Sequence, residues 1–222
     1  MKPAENSKSL RDLATVHIDY FKKNSHSLPD IFINDYLRKL KNVIDELPLD
    51  RIDRVAEILL DAYDNGKQVY VMGNGGSAAT ASHIVCDLAK GTIWPVAPGD
   101  KRFRVVSMSD NIPLMTAWTN DIDYTQVFRE QLLNIVNEGD VIIGISGSGN
   151  SMNIIKAMEY ANSRGAVTIG ITGCGGGMLK NTAKECIIVN TDNMERAEDA
   201  HLILGHVIKL YLNIKLNLRE IV

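Results

Sequence analysis

Val69-Tyr70-Val71-Met72-Gly73-Asn74-Gly75-Gly76-Ser77 is the stretch on which the fold turns, and Ala78 to Lys90 follows it. It reads as a buried strand, a glycine-rich turn and then a helix. β-Branched and aromatic residues fill the first half, as they do in a central parallel strand. Gly73, Gly75 and Gly76 accept positive φ and let a ligand come close to the backbone. Ser77 is placed to cap the helix, whose first-turn N–H groups face the loop. Those donors and the helix dipole favour an anion such as phosphate. Strand-to-helix turns are also glycine-rich for steric reasons alone, so this loop does not by itself separate a ligand site from a tight turn.

Outward from this stretch, strands and helices alternate. The strand patterns are Val69–Met72, Phe103–Met108, Val141–Ser146, Val167–Thr172 and Cys186–Asn190. Helical patterns lie between them, near Ser77–Lys90, Pro113–Thr119 with Thr125–Val136, Ser151–Arg164 and Met178–Ala183. A last helix runs from about Glu195 to Leu218. Short apolar strands alternating with helices predict an α/β fold, a parallel sheet covered on both faces. Residues 1 to about 66 read as helix. Leu10, Leu13, Val16 and Tyr20 recur at helical spacing, as do Leu37, Leu40, Val43, Ile44 and Leu47. Pro48 interrupts this pattern and Asp50 is positioned to cap a helix carrying Ile52, Val55, Ile58, Leu59 and Ala62. Asn65-Gly66 stops that helix. Trp94 to Lys101 reads as a surface loop.

The 222 residues suffice for a sizeable core, with 45% hydrophobic and 23% charged residues as in soluble globular proteins. A net charge of -3 without a basic run argues against nucleic acid as a direct partner. Cys86, Cys174 and Cys186 lack metal-ligand spacing, and an odd count argues against a secreted disulfide framework. Met1 to Asn6 carries no apolar signal region. The apolar run Leu202 to Leu218 is broken by His206, Lys209, Asn213 and Lys215, which excludes a membrane span. The expectation is a cytoplasmic protein.

A second loop, Ser146-Gly147-Ser148-Gly149-Asn150-Ser151, links the third strand to its helix. Hydroxyls, glycines and a helix N-terminus together make a better anion cradle than the first loop. In open α/β sheets ligands bind beyond the carboxyl ends of the strands, where both loops fall. Neither loop carries the Gly-Lys-Ser/Thr of a P-loop. Gly73 to Ala78 fits the dinucleotide turn only in part, so a nucleotide cofactor is not expected. His83 and Asp87 are four apart and share a helix face, where they can hold a metal or share a proton. A plain surface pair satisfies the same spacing. In the last helix His206 interrupts an apolar run, and its spacing to Glu198 and to Asp199 leaves both open as partners.

With these residues assembled, the chain resembles the sugar isomerase (SIS) domain family, and within it the phosphoheptose isomerases. The resemblance rests on Gly73-Asn74-Gly75-Gly76-Ser77, Asn120-Asp121, Ile145 to Ser151 and the Thr172-Gly173 turn, and covers roughly residues 35 to 215. It implies a flavodoxin-like five-stranded sheet, a homotetramer and an aldose–ketose isomerisation through an enediol. The implied reaction converts sedoheptulose 7-phosphate to D-glycero-D-manno-heptose 7-phosphate in heptose synthesis for lipopolysaccharide or capsule. It divides the chain into an N-terminal helical extension, residues 1–34, and a SIS domain, residues 35–222.

Position by position, the resemblance implies that Ser146, Gly147, Ser148 and Ser151 hold the phosphate. Asn74, Gly75, Gly76, Ser77, Asn120, Asp121 and Glu198 would line the substrate. Its catalytic glutamate falls on Asp87 and its catalytic histidine on His206. Its zinc ligands fall on His83, Asp87, Glu198 and His206, one ion per subunit. Two positions depart from the family: Asp87 is one methylene shorter than glutamate, and Glu198 replaces glutamine. A shift near 1 Å costs on the order of 100-fold in rate, and a second carboxylate binds a divalent metal more tightly while weakening its electrophilic pull. Non-catalytic SIS proteins, which bind phosphosugars or the replication initiator DnaA, are the competing class. Asp87 and His206 are chemically competent, which favours the enzyme.

Overall fold

The structure, a computed structural model of the chain, describes residues 28–92 and 101–221. The helical pattern of Leu10 to Tyr20 and most of the Trp94–Lys101 loop lie outside the described residues. Contacts divide the chain between Asn42 and Val43. On the N-terminal side the described residues are helical, the first part of α1 (Leu28–Asp45), with Asp35 ion-paired to Arg38 and Lys39 at 2.6 Å. Those two cations hold the Asp35 carboxyl below the usual range.

The larger unit opens with the end of α1 and continues with α2 (Leu49–Asp64). Pro48 occupies the N-cap, so Asp50 lies within the first turn and does not cap the helix. A proline without an N–H suits the point where helical donors are orphaned anyway. The stripe Ile52, Val55, Leu59 and Ala62 is buried, and Asn65 ends the helix with Gly66 at φ +63°. Then follow β1 (Gln68–Gly73), α3 (Gly76–Cys86), β2 (Arg104–Ser107), α4 (Ile112–Asp121) and α5 (Val127–Leu133). β3 (Val141–Ser146), α6 (Met152–Ser163), β4 (Val167–Thr172), α7 (Leu179–Thr182), β5 (Glu185–Ile188) and α8 (Met194–Ile221) complete it.

All strand pairings are parallel, in the order β2-β1-β3-β4-β5. This is the flavodoxin-like order, with its switch point between β1 and β3. Strand period 2 divides the core into two layers. Val69, Val71, Val141, Ile143, Ile169 and Ile171 face α2, α3, the turn that follows α3, and α8, which contribute Leu59, Ile84, Leu88, Leu204 and Ile208. Tyr70, Met72 and Ile142 face the other side, under Phe128 and Leu132 of α5 and Ile154 and Met158 of α6. Each fully buried Leu, Ile or Phe contributes about 1.5–3 kcal/mol. This double-sided burial makes the inner strands near-continuous apolar runs. Among the described residues, no helix is long and apolar enough to cross a membrane.

Candidate active site

The two glycine- and serine-rich loops follow β1 and β3, the strands that flank the switch point. After β1 the chain turns at Gly75, at φ +54°, and the helix begins at Gly76. Gly75 is therefore the N-cap, and the cap expected of Ser77 is not made: the glycine turn starts the helix early and leaves Ser77 buried in its first turn. A Cβ on Gly76 would lie 2.9 Å from the Glu198 carboxylate, so glycine admits that side chain over the N-terminal end of α3. Carboxylates are stabilised at such an end.

The serine loop is clasped by the turn after β4. A Cβ on Gly149 (φ +67°) would strike the Gly176 carbonyl at 2.1 Å, and one on Gly177 would strike Ser148 O at 2.5 Å. Leu179 N donates to Gly149 O at 2.9 Å, Gly173 N to Gly147 O at 3.0 Å and Met178 N to Asn150 Oδ1 at 3.0 Å. Ser146 Oγ and Ser151 Oγ stand 2.9 Å apart, and Ser148 Oγ accepts from Asn150 N at 3.2 Å. Ser151 is the N-cap of α6 but its hydroxyl makes no capping bond, so it points at its fellow serine. The hydroxyls of Ser146, Ser148 and Ser151 thus line a rigid turn at a helix N-terminus.

Two turns along α3, His83 and Asp87 meet His206 of α8. His83 Nε2 and His206 Nε2 are 2.9 Å apart, and Asp87 Oδ2 lies 3.6 Å from the first and 3.9 Å from the second. The rings meet edge to face with centroids 4.9 Å apart. Asp87 opens a π-turn, Asp87–Gly91, that continues α3, a feature often found at functional sites. Asp87 Oδ2 is buried and lacks a hydrogen-bond partner. A buried carboxylate oxygen without one is costly, and a cation among these three atoms would offset that cost. Ligand atoms around tetrahedral zinc sit about 3.3 Å apart at Zn–N near 2.0–2.1 Å, and the observed spacings bracket this value. The donor set therefore fits a divalent metal.

Other residues inferred from sequence fall as follows. Glu198 is not part of the close His83–Asp87–His206 group, in which all ligand atoms lie within 4.8 Å of one another; its carboxylate faces Gly76. Asn120 and Asp121 end α4, exposed, with Asn120 Nδ2 donating to Asp121 Oδ1 at 2.8 Å. His201, one turn after Glu198, is 1% exposed, and burial pushes its imidazole down to about 4 against an opposing pull from the Thr172 backbone.

Sequence reasoning missed three residues beside the loops. Asn153, buried in the first turn of α6, exchanges hydrogen bonds with Asn74. Tyr124 O–H donates to Asn74 Oδ1 at 2.7 Å. Ser109, buried after β2, accepts from Gly73 N at 3.2 Å and donates to Gly73 O at 3.0 Å. An asparagine directly before the apolar run Ile154-Ile155-Ala157-Met158 was the available signal for the first.

The chain is similar to known proteins in both sequence and fold. Residues 32–173 match the SIS domain family. The phosphoheptose isomerase of Aneurinibacillus thermoaerophilus is 35% identical over 185 residues, 79% of this chain and 91% of that protein. That of Clostridium acetobutylicum is 36% identical over 160 residues, 72% of this chain and 80% of its own. The solved phosphoheptose isomerase from Francisella tularensis superposes with TM-score 0.74 at 26% identity, over 82% of this chain and 96% of that one. The Neisseria gonorrhoeae structure gives the same TM-score and identity over 84% and 99%. The chain belongs to the SIS domain family, on its phosphoheptose isomerase branch.

Proposed function

We propose that this SIS-domain chain is an aldose–ketose isomerase that converts sedoheptulose 7-phosphate to D-glycero-D-manno-heptose 7-phosphate, through an enediol, in heptose biosynthesis. One observation carries the reading: two imidazoles and an unpartnered buried carboxylate oxygen converge within 3.9 Å. Moving a carbonyl along a sugar needs a base at carbon and an acid at oxygen, and this cluster supplies both chemistries.

In this reading Ser146, Ser148 and Ser151, with the first-turn N–H groups of α6, bind the phosphate. Asn74, Gly75, Gly76, Ser77, Asn120, Asp121 and Glu198 line the sugar. Asp87 takes the proton from C1 of the ketose while His206, through whichever ring nitrogen is free of metal, protonates the C2 carbonyl oxygen, giving the enediol. Loss of the O1 proton and return of a proton to C2 completes the aldose. His206 suits this role because imidazole exchanges protons near neutral pH. His83, Asp87 and His206, joined by Glu198 as the family pattern implies, would hold one zinc ion per subunit; bound there, it would stabilise negative charge on the substrate oxygens.

The same reading makes the protein a cytoplasmic homotetramer with an N-terminal extension over residues 1–34. Free thiols at Cys86, Cys174 and Cys186 agree with a reducing compartment. Leu202, Val207, Leu210 and Ile214 form an exposed apolar stripe on α8 suited to contact between subunits. The deciding experiment is conversion of sedoheptulose 7-phosphate by the purified chain, with and without zinc, beside Asp87→Asn and His206→Ala. Turnover that collapses in both variants supports the reading. Binding of the sugar phosphate without turnover by the parent chain, on this and other ketose phosphates, overturns it.

A further inference from the structure

The Asn74 side chain is held in one orientation by a chain of hydrogen bonds whose polarity can be read without ambiguity. Ile154 N is the third backbone donor of α6, one of those the helix itself leaves without a partner. It donates to Asn153 Oδ1 at 3.0 Å. A backbone N–H can only donate, so that atom of Asn153 is the oxygen and the other is the amide nitrogen. Asn74 Nδ2 donates to the same Oδ1 at 2.9 Å, and Asn153 Nδ2 donates back to Asn74 Oδ1 at 2.8 Å. With Asn74 Oδ1 thus identified, Tyr124 O–H must be the donor in its 2.7 Å contact with that oxygen. Asn74 Oδ1 has both lone pairs engaged. One N–H of Asn74 Nδ2 remains for a ligand.

We propose that Asn153 and Tyr124 are positioning residues that lock the Asn74 amide so that it meets the bound sugar as a donor only. The sugar atom opposite Asn74 is then an acceptor, a carbonyl or hydroxyl oxygen. The lock also braces the two ligand loops against each other, because Asn74 belongs to the glycine loop and Asn153 to the helix behind the serine loop. An amide free to turn would present its oxygen in half of its states and lose the preference. Neither residue touches the reacting carbons in this arrangement; both act through Asn74. The inference rests on the isomerase reading only in taking Asn74 as a sugar-lining residue.

The test is a double-mutant cycle on the full chain, read by calorimetric binding of sedoheptulose 7-phosphate and by kcat/KM. Tyr124→Phe removes one hydroxyl from an exposed ring, 47% accessible, and should leave the melting temperature unchanged. Losing one such hydrogen bond should weaken binding about threefold to tenfold. Asn153→Asp keeps the acceptor for Ile154 N but sets a second oxygen against Asn74 Oδ1, so a loss of roughly tenfold or more is expected. In an Asn74→Ala background, measured at higher ligand concentration, neither change should weaken binding further. Equal losses in both backgrounds, or full-strength binding by Tyr124→Phe, would overturn the proposal. If Asn153→Asp fails to fold, the Tyr124→Phe and Asn74→Ala cycle decides alone. A parent chain that binds but does not turn over refutes the isomerase reading while leaving this cycle readable in the binding data.

Discussion

Gly205→Ala tests whether the spacing between α3 and α8 sets the geometry of the candidate site. Gly205 directly precedes His206, and a Cβ there would lie 2.9 Å from Ile84 Cγ1 and 3.4 Å from its Cδ1. Ile84, in turn, directly follows His83 and is 6% exposed within the α2–α3–α8 core. The apolar cavity that Ile84 and Gly205 share holds no more than a water molecule, too little for the isoleucine to turn aside, so the helices must part to restore an ordinary contact, by about 0.5 Å. Overpacking of this kind costs about 1–3 kcal/mol, which in a chain of this size lowers Tm by roughly 2–10 °C. The same displacement separates the His83 and His206 rings. With about 1 Å of misplacement worth on the order of 100-fold, half that distance predicts a loss near tenfold in kcat/KM. The assay combines thermal denaturation, zinc titration against a chromophoric chelator, and turnover. In an Ile84→Ala background, where the obstructing atom is gone, the substitution should carry no such cost. A Tm drop of the stated size with unchanged zinc affinity and turnover would refute the link between helix spacing and site.

Four further outcomes follow from the structure. The His201 pKa falls from 6.5 to about 4 on folding, so the unfolded chain binds the extra proton between those values. Its contribution is complete above pH 6.5 and is lost as pH falls towards 4, by up to about 3 kcal/mol; denaturant titrations across that range should be flatter for His201→Leu than for the parent. Gly149→Ala places a Cβ 2.1 Å from the Gly176 carbonyl at φ +67°, and should cost about 3 kcal/mol or more while abolishing inorganic phosphate binding, measured by denaturation and calorimetry. Chelation should remove activity and zinc restore it. His83→Ala should weaken zinc more than Glu198→Ala, because Glu198 stands apart from the close His83–Asp87–His206 group and must move to join it.

The strands were legible because their signal is local. Val141–Ser146 and Val167–Thr172 are found where apolar runs put them, and β1 extends by one residue at each end. His83 with Asp87 was legible as well, being a single helix turn. His206 lies 123 residues from His83, so periodicity could offer it several partners and only family likeness singled it out. Asn153 could not be paired from the sequence for the same reason: its partner Asn74 is 79 residues away, and their bond depends on how α6 sits against β1. Ser77 shows the opposite failure. A good capping residue was present, but the neighbouring Gly75 turned the chain into the helix before serine could cap it.

The clasp between the serine loop and the turn after β4 is made of main chain against main chain at Gly149, Gly176 and Gly177. At those three glycines there is no side chain to trim, and adding one would break the clasp. The wall on the glycine-loop side is built from the side chains of Asn74, Tyr124 and Glu198. A chain arranged this way has one invariant grip and one adjustable one. It can change the sugar it accepts by single substitutions, while the element suited to phosphate stays as the backbone made it.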